Sequence, residues 1–150
     1  MIEIFTDGAS KGNPGPGGYG VILRSGPHNK ELSGGFRKTT NNRMELMGVI
    51  TGLESIKSPG QEIHIYSDSK YVIDPIEKKW LAGWQKKNFK DKKNPDLWLK
   101  LIPLLKMHRV TFHWVRGHAG HAENERCDEL AVAACTSPNL ATDVAYERSM

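Results

Sequence analysis

Asp7 and Asp68 each close an alternating β run of nearly the same make-up: Ile2-Glu3-Ile4-Phe5-Thr6-Asp7-Gly8 and Ile63-His64-Ile65-Tyr66-Ser67-Asp68-Ser69. If the two runs are neighbouring parallel strands in equal register, at roughly 4.8 Å spacing, both carboxylates finish side by side at one edge of a sheet. At about 5 Å and an effective dielectric of about 20, their repulsion is on the order of 3 kcal/mol. A bound divalent cation converts that repulsion into attraction, so the chemistry this pair suggests is metal binding.

Two further acids are candidates to join them. Glu45 follows Met44 and Asp128 follows Cys127, so each flanks the apolar stripe of its own predicted helix by about 100°, at the boundary between core and water. If those helix edges lie over the ends of the two strands, Asp7, Glu45, Asp68 and Asp128 converge. Spacing alone does not bring them together; the fold must. Oxygen-only ligands with room for water suit Mg²⁺ or Mn²⁺ rather than zinc, and two such ions clamp an in-line displacement at phosphorus.

The elements that must position these acids are legible as changes of period. Residues 1–7 read as a strand, the Gly- and Pro-rich stretch 12–18 as a turn, and 19–23 and 30–38 as two more strands of an antiparallel meander. From Asn42 the residues Met44, Met47, Ile50 and Leu53 recur every third position, the stripe of an amphipathic helix that ends near Ser58-Pro59-Gly60. Asn42 itself is a candidate cap for it. After the strand at 62–67, residues 69–73 make a short helix. Pro75 is expected to break it, with a new helix starting at Asp74-Pro75 and running to about Lys87. Residues 97–108 form another helix, with a kink or irregular turn expected at Pro103. Residues 109–115 form a fifth strand, 116–122 a glycine- and histidine-rich loop, and 123–134 a last helix with its stripe at Cys127, Leu130, Ala131 and Ala134. Beyond Pro138 no period is visible, and a mobile tail is expected. The order is that of an α/β fold with a mixed sheet.

Composition narrows the class. The chain has 150 residues, enough for one domain with its own core. Its 21 Lys+Arg against 17 Asp+Glu give a net charge of +4, compatible with a polyanionic partner. The excess is local: Lys78, Lys79, Lys86, Lys87, Lys90, Lys92 and Lys93 crowd one stretch in which Asp91 is the one strong acid. Trp80 and Trp84 lie in the same stretch, four apart and so on one helix face, a combination that offers packing surface and phosphate contacts. The two cysteines, Cys127 and Cys135, fall on one helix about 12 Å apart, too far for a disulfide, and are expected as free thiols of a reducing compartment. The chain opens on a strand pattern, so no leader is expected, and no apolar run reaches the ~20 residues of a membrane span. A cytoplasmic monomer is the expectation.

Six segments taken together are more specific than any one of them: Thr6-Asp7-Gly8, Gly12-Asn13-Pro14-Gly15, Thr39-Thr40-Asn41-Asn42-Arg43-Met44-Glu45-Leu46, Tyr66-Ser67-Asp68-Ser69, Trp114-Val115-Arg116-Gly117-His118 and Asn124-Glu125-Arg126-Cys127-Asp128-Glu129-Leu130-Ala131. In this order, from Met1 to about Ala134, they resemble type 1 ribonuclease H in its bacterial form. The resemblance implies a ribonuclease H-like α/β fold with a five-stranded mixed sheet flanked by helices. It places a catalytic domain at 1–135, with a basic protrusion at about 75–95, ahead of a flexible tail at 136–150. It implies hydrolysis of the RNA strand of an RNA–DNA hybrid, leaving 3′-hydroxyl and 5′-phosphate ends, with two Mg²⁺ ions held by Asp7, Glu45, Asp68 and Asp128.

The same resemblance assigns further residues. His118 matches a histidine that assists proton transfer or product departure. Asn13, Asn41 and Asn42 match residues that reach the hybrid's minor groove, where base edges and 2′-hydroxyls are accessible. Lys38, Thr40 and Asn94 match a pocket for a phosphate of the DNA strand, and Trp80, Trp84, Lys86 and Lys87 belong to the protrusion. The chain departs from the pattern at Lys70, where glutamine is expected, at Phe89, where tryptophan is usual, and at Pro75, where glycine is familiar. A module that holds hybrid without cutting it would need a broken acidic cluster, and here that cluster is intact. A related nuclease acting on DNA junctions is disfavoured by the asparagine pair and the basic stretch.

Overall fold

The structure is a computed structural model and describes residues 1–116 and 121–149. Five strands form one mixed sheet in the order β3-β2-β1-β4-β5. They are β1 (Ile2–Ser10), β2 (Gly15–Ser25), β3 (His28–Thr39), β4 (Glu62–Ser67) and β5 (Arg109–Trp114). The first three pair antiparallel as a meander, while β1–β4 and β4–β5 are parallel. In the β1–β4 ladder Ile2 pairs with Ile63 and Phe5 with Tyr66. Continuing that register aligns Asp7 with Asp68, as the repeated strand pattern predicts.

Alternation along β1 and β2 divides the interior. Ile4 and Val21 join the main core, with Leu46, Val49, Ile50 and Leu53 of α1 (Asn41–Glu54). Phe5 and Ile22 point the other way and pack on Cys127 of α5 (Ala122–Cys135). The α1 face also carries α2 (Lys70–Glu77), α3 (Leu81–Lys86) and α4 (Pro95–Met107), whose Val72, Leu81 and Trp98 enter the same core. On the other face α5 lies close to the sheet. A Cβ on Gly20 would collide with the Cys127 carbonyl, and one on Gly18 would meet the Ala131 carbonyl.

Five expectations are corrected here. The glycines at 15, 17 and 18 are part of β2 rather than a turn, and a side chain would fit at none of them: the Lys11 carbonyl crowds Gly15, Thr39 crowds Gly17 and α5 crowds Gly18. The cap of α1 is Thr40, whose hydroxyl accepts from the Arg43 N–H, not Asn42. Pro75 lies inside a continuous α2 and is buried with Val72 and Ile73. Proline removes one ladder bond, and the packing of that apolar face outweighs it. The chain turns instead at Lys79, with φ +60. Pro103 likewise sits within an unbroken α4, on its exposed side, where the carbonyl it frees is open to solvent.

The fifth correction is the C-terminal stretch, which docks rather than trailing. Ala141 bridges to Phe36, and α6 (Val144–Arg148) follows Asp143, whose carboxylate caps it at Tyr146. Arg37 on β3 grips Glu147 with two hydrogen bonds of 2.9 and 2.8 Å. Both cysteines are free and buried, and no helix among the described residues is long and apolar enough to cross a membrane.

Candidate active site

Asp7 leaves the sheet edge on β1 with 3 % of its surface exposed, and Glu45 comes down from the first turns of α1 with 4 %. Gly8 makes their approach possible: a Cβ there would lie 2.7 Å from the Glu45 nitrogen and 2.9 Å from Glu45 Oε1. In its place the Gly8 N–H donates to Glu45 Oε1 at 2.6 Å. Glu45 is therefore more deeply buried than a residue flanking the helix stripe would be, and this follows from the glycine after Asp7.

Asp68 sits in the turn that joins β4 to α2. The Ser69 N–H donates to Ser67 Oγ at 3.1 Å, and Ser69 Oγ in turn accepts from the Val72 N–H, capping α2. The two serines thus hold the aspartate between a strand end and a helix start. Their hydroxyls were visible in the sequence, but only the turn explains them.

Asp7, Glu45 and Asp68 each offer a carboxylate oxygen, and these oxygens lie within 4.8 Å of one another. Asp128 lines the same cavity of about 260 Å³ from α5, with Gly8, Asn41 and Ser69, but does not join the tight group of three. Burial first, then the charges of Asp7 and Asp68, push the Glu45 carboxyl well above the usual range, against the opposing pull of the Gly8 N–H. The same crowding of negative charge that raises the Glu45 carboxyl favours a bound cation. Three clustered hard oxygen donors are a fit donor set for a divalent ion such as Mg²⁺ or Mn²⁺.

Asn124 was quoted in the sequence only as part of a motif, and the structure gives it work. The β1–β4 ladder ends at Phe5 and Tyr66. There the side-chain amide of Asn124, buried on α5, donates to the carbonyls of Thr6 at 3.4 Å and Tyr66 at 3.2 Å. It thereby bridges the two strands just before their aspartates. The neighbouring Cys127 donates to the Phe5 carbonyl, and burial pushes its thiol up to about 12, out of reach of thiolate chemistry.

The other candidates divide between two places. Asn13, Thr40, Asn42 and Asn94 line a second cavity of about 680 Å³ together with Arg43, Lys93 and Tyr146. The Asn41 N–H donates to Asn13 Oδ1, tying the β1–β2 loop to the start of α1. Asn94 accepts from Arg43 and donates to the Tyr71 hydroxyl. Lys38 lies nearby on β3. In the basic stretch Trp80 and Trp84 stand with ring centroids 6.3 Å apart, Trp84 meets Trp98 edge-on, and Lys92 lies over Trp84 at 4.8 Å. Lys86 and Lys87 are exposed beside them, while Phe89 is buried. His118 lies outside the described residues.

Known proteins are similar to this chain in sequence and in fold. The family described as RNase H matches residues 1–136. A ribonuclease H of Desulforamulus reducens is 55% identical over 148 residues, covering 95% of this chain and 92% of its own. Among solved structures, LC9-RNase H1, a type 1 RNase H with the type 2 active-site motif, superposes with a TM-score of 0.78 at 30% identity over 99% of this chain and 79% of its own. The N-terminal RNase H domain of a Mycobacterium tuberculosis protein follows with 0.69 at 28% identity, over 99% and 98%. With a sheet of this order and a carboxylate triad at its edge, the chain belongs to the ribonuclease H family, metal-dependent endonucleases that cleave the RNA strand of RNA–DNA hybrids.

Proposed function

We propose that Asp7, Glu45, Asp68 and Asp128 together hold two Mg²⁺ ions, with Mn²⁺ an alternative, and that cleavage leaves 3′-hydroxyl and 5′-phosphate ends. The chemistry that such ions supply when bound is acidification of the attacking water and neutralisation of charge on the leaving oxygen. Asp7, on the central strand, would contribute to holding both ions, and Glu45, Asp68 and Asp128 would be the remaining protein ligands. Gly8 holds Glu45 through its N–H, Asn124 bridges the strand ends that lead to Asp7 and Asp68, and Ser67 and Ser69 frame the turn at Asp68. His118 moves a proton or assists product departure, help of a kind typically worth about 10² to 10⁴-fold.

On the substrate side, Asn13, Asn41 and Asn42 read the minor groove, while Lys38, Thr40 and Asn94 take a phosphate of the DNA strand. Trp80, Trp84, Lys86 and Lys87 extend the grip along the backbone. The catalytic domain is 1–135, and the protein works as a cytoplasmic monomer. The observation that carries this reading is the meeting of Asp7, Glu45 and Asp68 within 4.8 Å. Incubation of labelled RNA–DNA, RNA–RNA and DNA–DNA duplexes with Mg²⁺, then with a chelator, tests it. Only the hybrid should be cut, only on its RNA strand, and not in chelator. Calorimetric titration with Mg²⁺ and hybrid bound to an Asp7→Asn protein gives the stoichiometry against the wild type.

A further inference from the structure

Lys70 and Trp114 form a pair beside Asp68, a lining residue of the acidic cavity, that the hydrolytic scheme does not use. Lys70 is the first residue of α2, two positions after Asp68, and is exposed. Trp114 ends β5 with 46 % of its surface exposed, large for an indole. Its N–H donates to the Asp68 carbonyl at 3.2 Å, which fixes the ring against the backbone of a carboxylate in the cluster. The Lys70 ammonium lies 4.2 Å from the centre of that ring, within cation–π range. None of the ion pairs among the described residues includes Lys70.

The arrangement restricts a long, flexible side chain without neutralising it. A lysine used to quench the acidic cluster would turn toward carboxylates, whereas this one is parked on an aromatic face with its charge still available. Parking it beforehand lowers the ordering cost of a later contact. An anion brought to this pair is part of whatever the neighbouring acids act on. For a nucleic-acid substrate it is a phosphate, for which lysine is a point-charge partner.

We propose that Lys70 is a substrate-positioning contact whose ammonium, held over Trp114 beside Asp68, takes a backbone phosphate of the hybrid next to the bond that is cut. The inference rests on the reading of Asp7, Glu45 and Asp68 as the hydrolytic centre.

The test measures binding of a short labelled hybrid by fluorescence anisotropy, with Mg²⁺ and over a series of salt concentrations. The parent is the Asp7→Asn protein, in which cleavage is removed. Adding Lys70→Gln should weaken binding and lower the slope of log K against log salt by about 1, the signature of one lost phosphate contact. Lys70→Arg should retain the parental slope. Lys57→Gln is the charge control, because Lys57 lies beyond the far end of α1 from Asn41, and it should leave the slope at the parental value. If Lys70→Gln matches the parent in affinity and slope, or if Lys57→Gln lowers the slope equally, the Lys70 contact is wrong while the hydrolytic reading stands. If wild-type protein does not cut hybrid and the parent does not bind it, the hydrolytic reading fails and takes this inference with it.

Discussion

Arg43 and Asp143 meet through two buried hydrogen bonds, Nε to Oδ2 at 2.7 Å and Nη2 to Oδ1 at 2.9 Å, across one hundred positions of chain. Thr39 adds a third bond to the same carboxylate at 2.7 Å, and the remaining guanidinium donors reach Asp96 and Asn94. One side chain therefore joins the start of α1, the start of α4 and the C-terminal segment. It stands two residues before Glu45.

Asp143→Ala leaves the Arg43 guanidinium buried with the partly exposed Asp96 as its one remaining charged partner, beside the neutral Asn94. Removing one member of a buried pair is strongly destabilising, and a loss of roughly 3 kcal/mol is expected, read from urea denaturation at neutral pH. An unchanged midpoint would mean that the C-terminal segment contributes nothing to the fold. Asp96 supplies the pH dependence. Burial alone would raise its carboxyl, but the Arg43 hydrogen bonds outweigh that and hold it below the usual range. A depressed folded value stabilises above the unfolded carboxylate range and loses that effect as pH falls through the folded one. The stability gap between wild type and Asp96→Asn should therefore close on acidification.

Asp7→Asn should lower turnover by roughly 10³-fold or more, since Lewis-acid stabilisation is worth several kcal/mol, while hybrid binding is largely spared. The same change should stabilise the metal-free protein. The Glu45 carboxyl is pushed up in the folded state, so the folded protein holds a proton that the unfolded chain releases, and stability falls as pH rises above the usual glutamate range. Taking away the Asp7 charge shrinks that loss. Melting temperatures in chelator, compared at acid and neutral pH, should show wild type declining more steeply than the variant, and Mg²⁺ should restore the wild type.

Asn124→Ala strips the carbonyls of Thr6 and Tyr66 of their shared donor. A buried acceptor left unmatched costs about 1–3 kcal/mol, and the β1 and β4 ends lose the bridge that sets their separation. Stability and kcat should fall together. Normal turnover in a destabilised variant would show that the strand ends keep their spacing without it.

Replacing Lys86, Lys87, Lys90, Lys92 and Lys93 by glutamine should raise KM and flatten its dependence on salt, because each phosphate contact contributes about 0.9 to the slope. The melting temperature should change little, since these side chains are exposed and Phe89 continues to anchor the segment. Unchanged salt behaviour would assign the cluster to solubility alone.

Legibility in the sequence followed the range of the interactions. The Asp7–Asp68 relationship was readable because two strands in equal register repeat the same pattern, and parallel pairing preserves that repeat. Thr40 was harder: Thr40, Asn41 and Asn42 are all capping types, and only backbone geometry distinguishes them. Pro75 and Pro103 were read by local rules that the burial of Val72 and Trp98 overrides. Asp143 was invisible because nothing near it has a period. Its partner lies a hundred residues upstream, and a short segment fixed by ion pairs leaves no hydrophobic rhythm. The depth of Glu45 depended on Gly8, a residue with no side chain to announce it.

Gly20 carries no chemistry, yet it governs where Asp128 stands. With only a hydrogen on β2 at this point, the Cys127 carbonyl seats directly on the sheet, and the next residue along α5 is the fourth acid. A methyl group there would lift that turn like a shim under a bearing, and the acid would retreat from the other three without any change to the four carboxylate side chains themselves. The reach of this centre is thus calibrated from a neighbouring strand, by a clearance of atomic size.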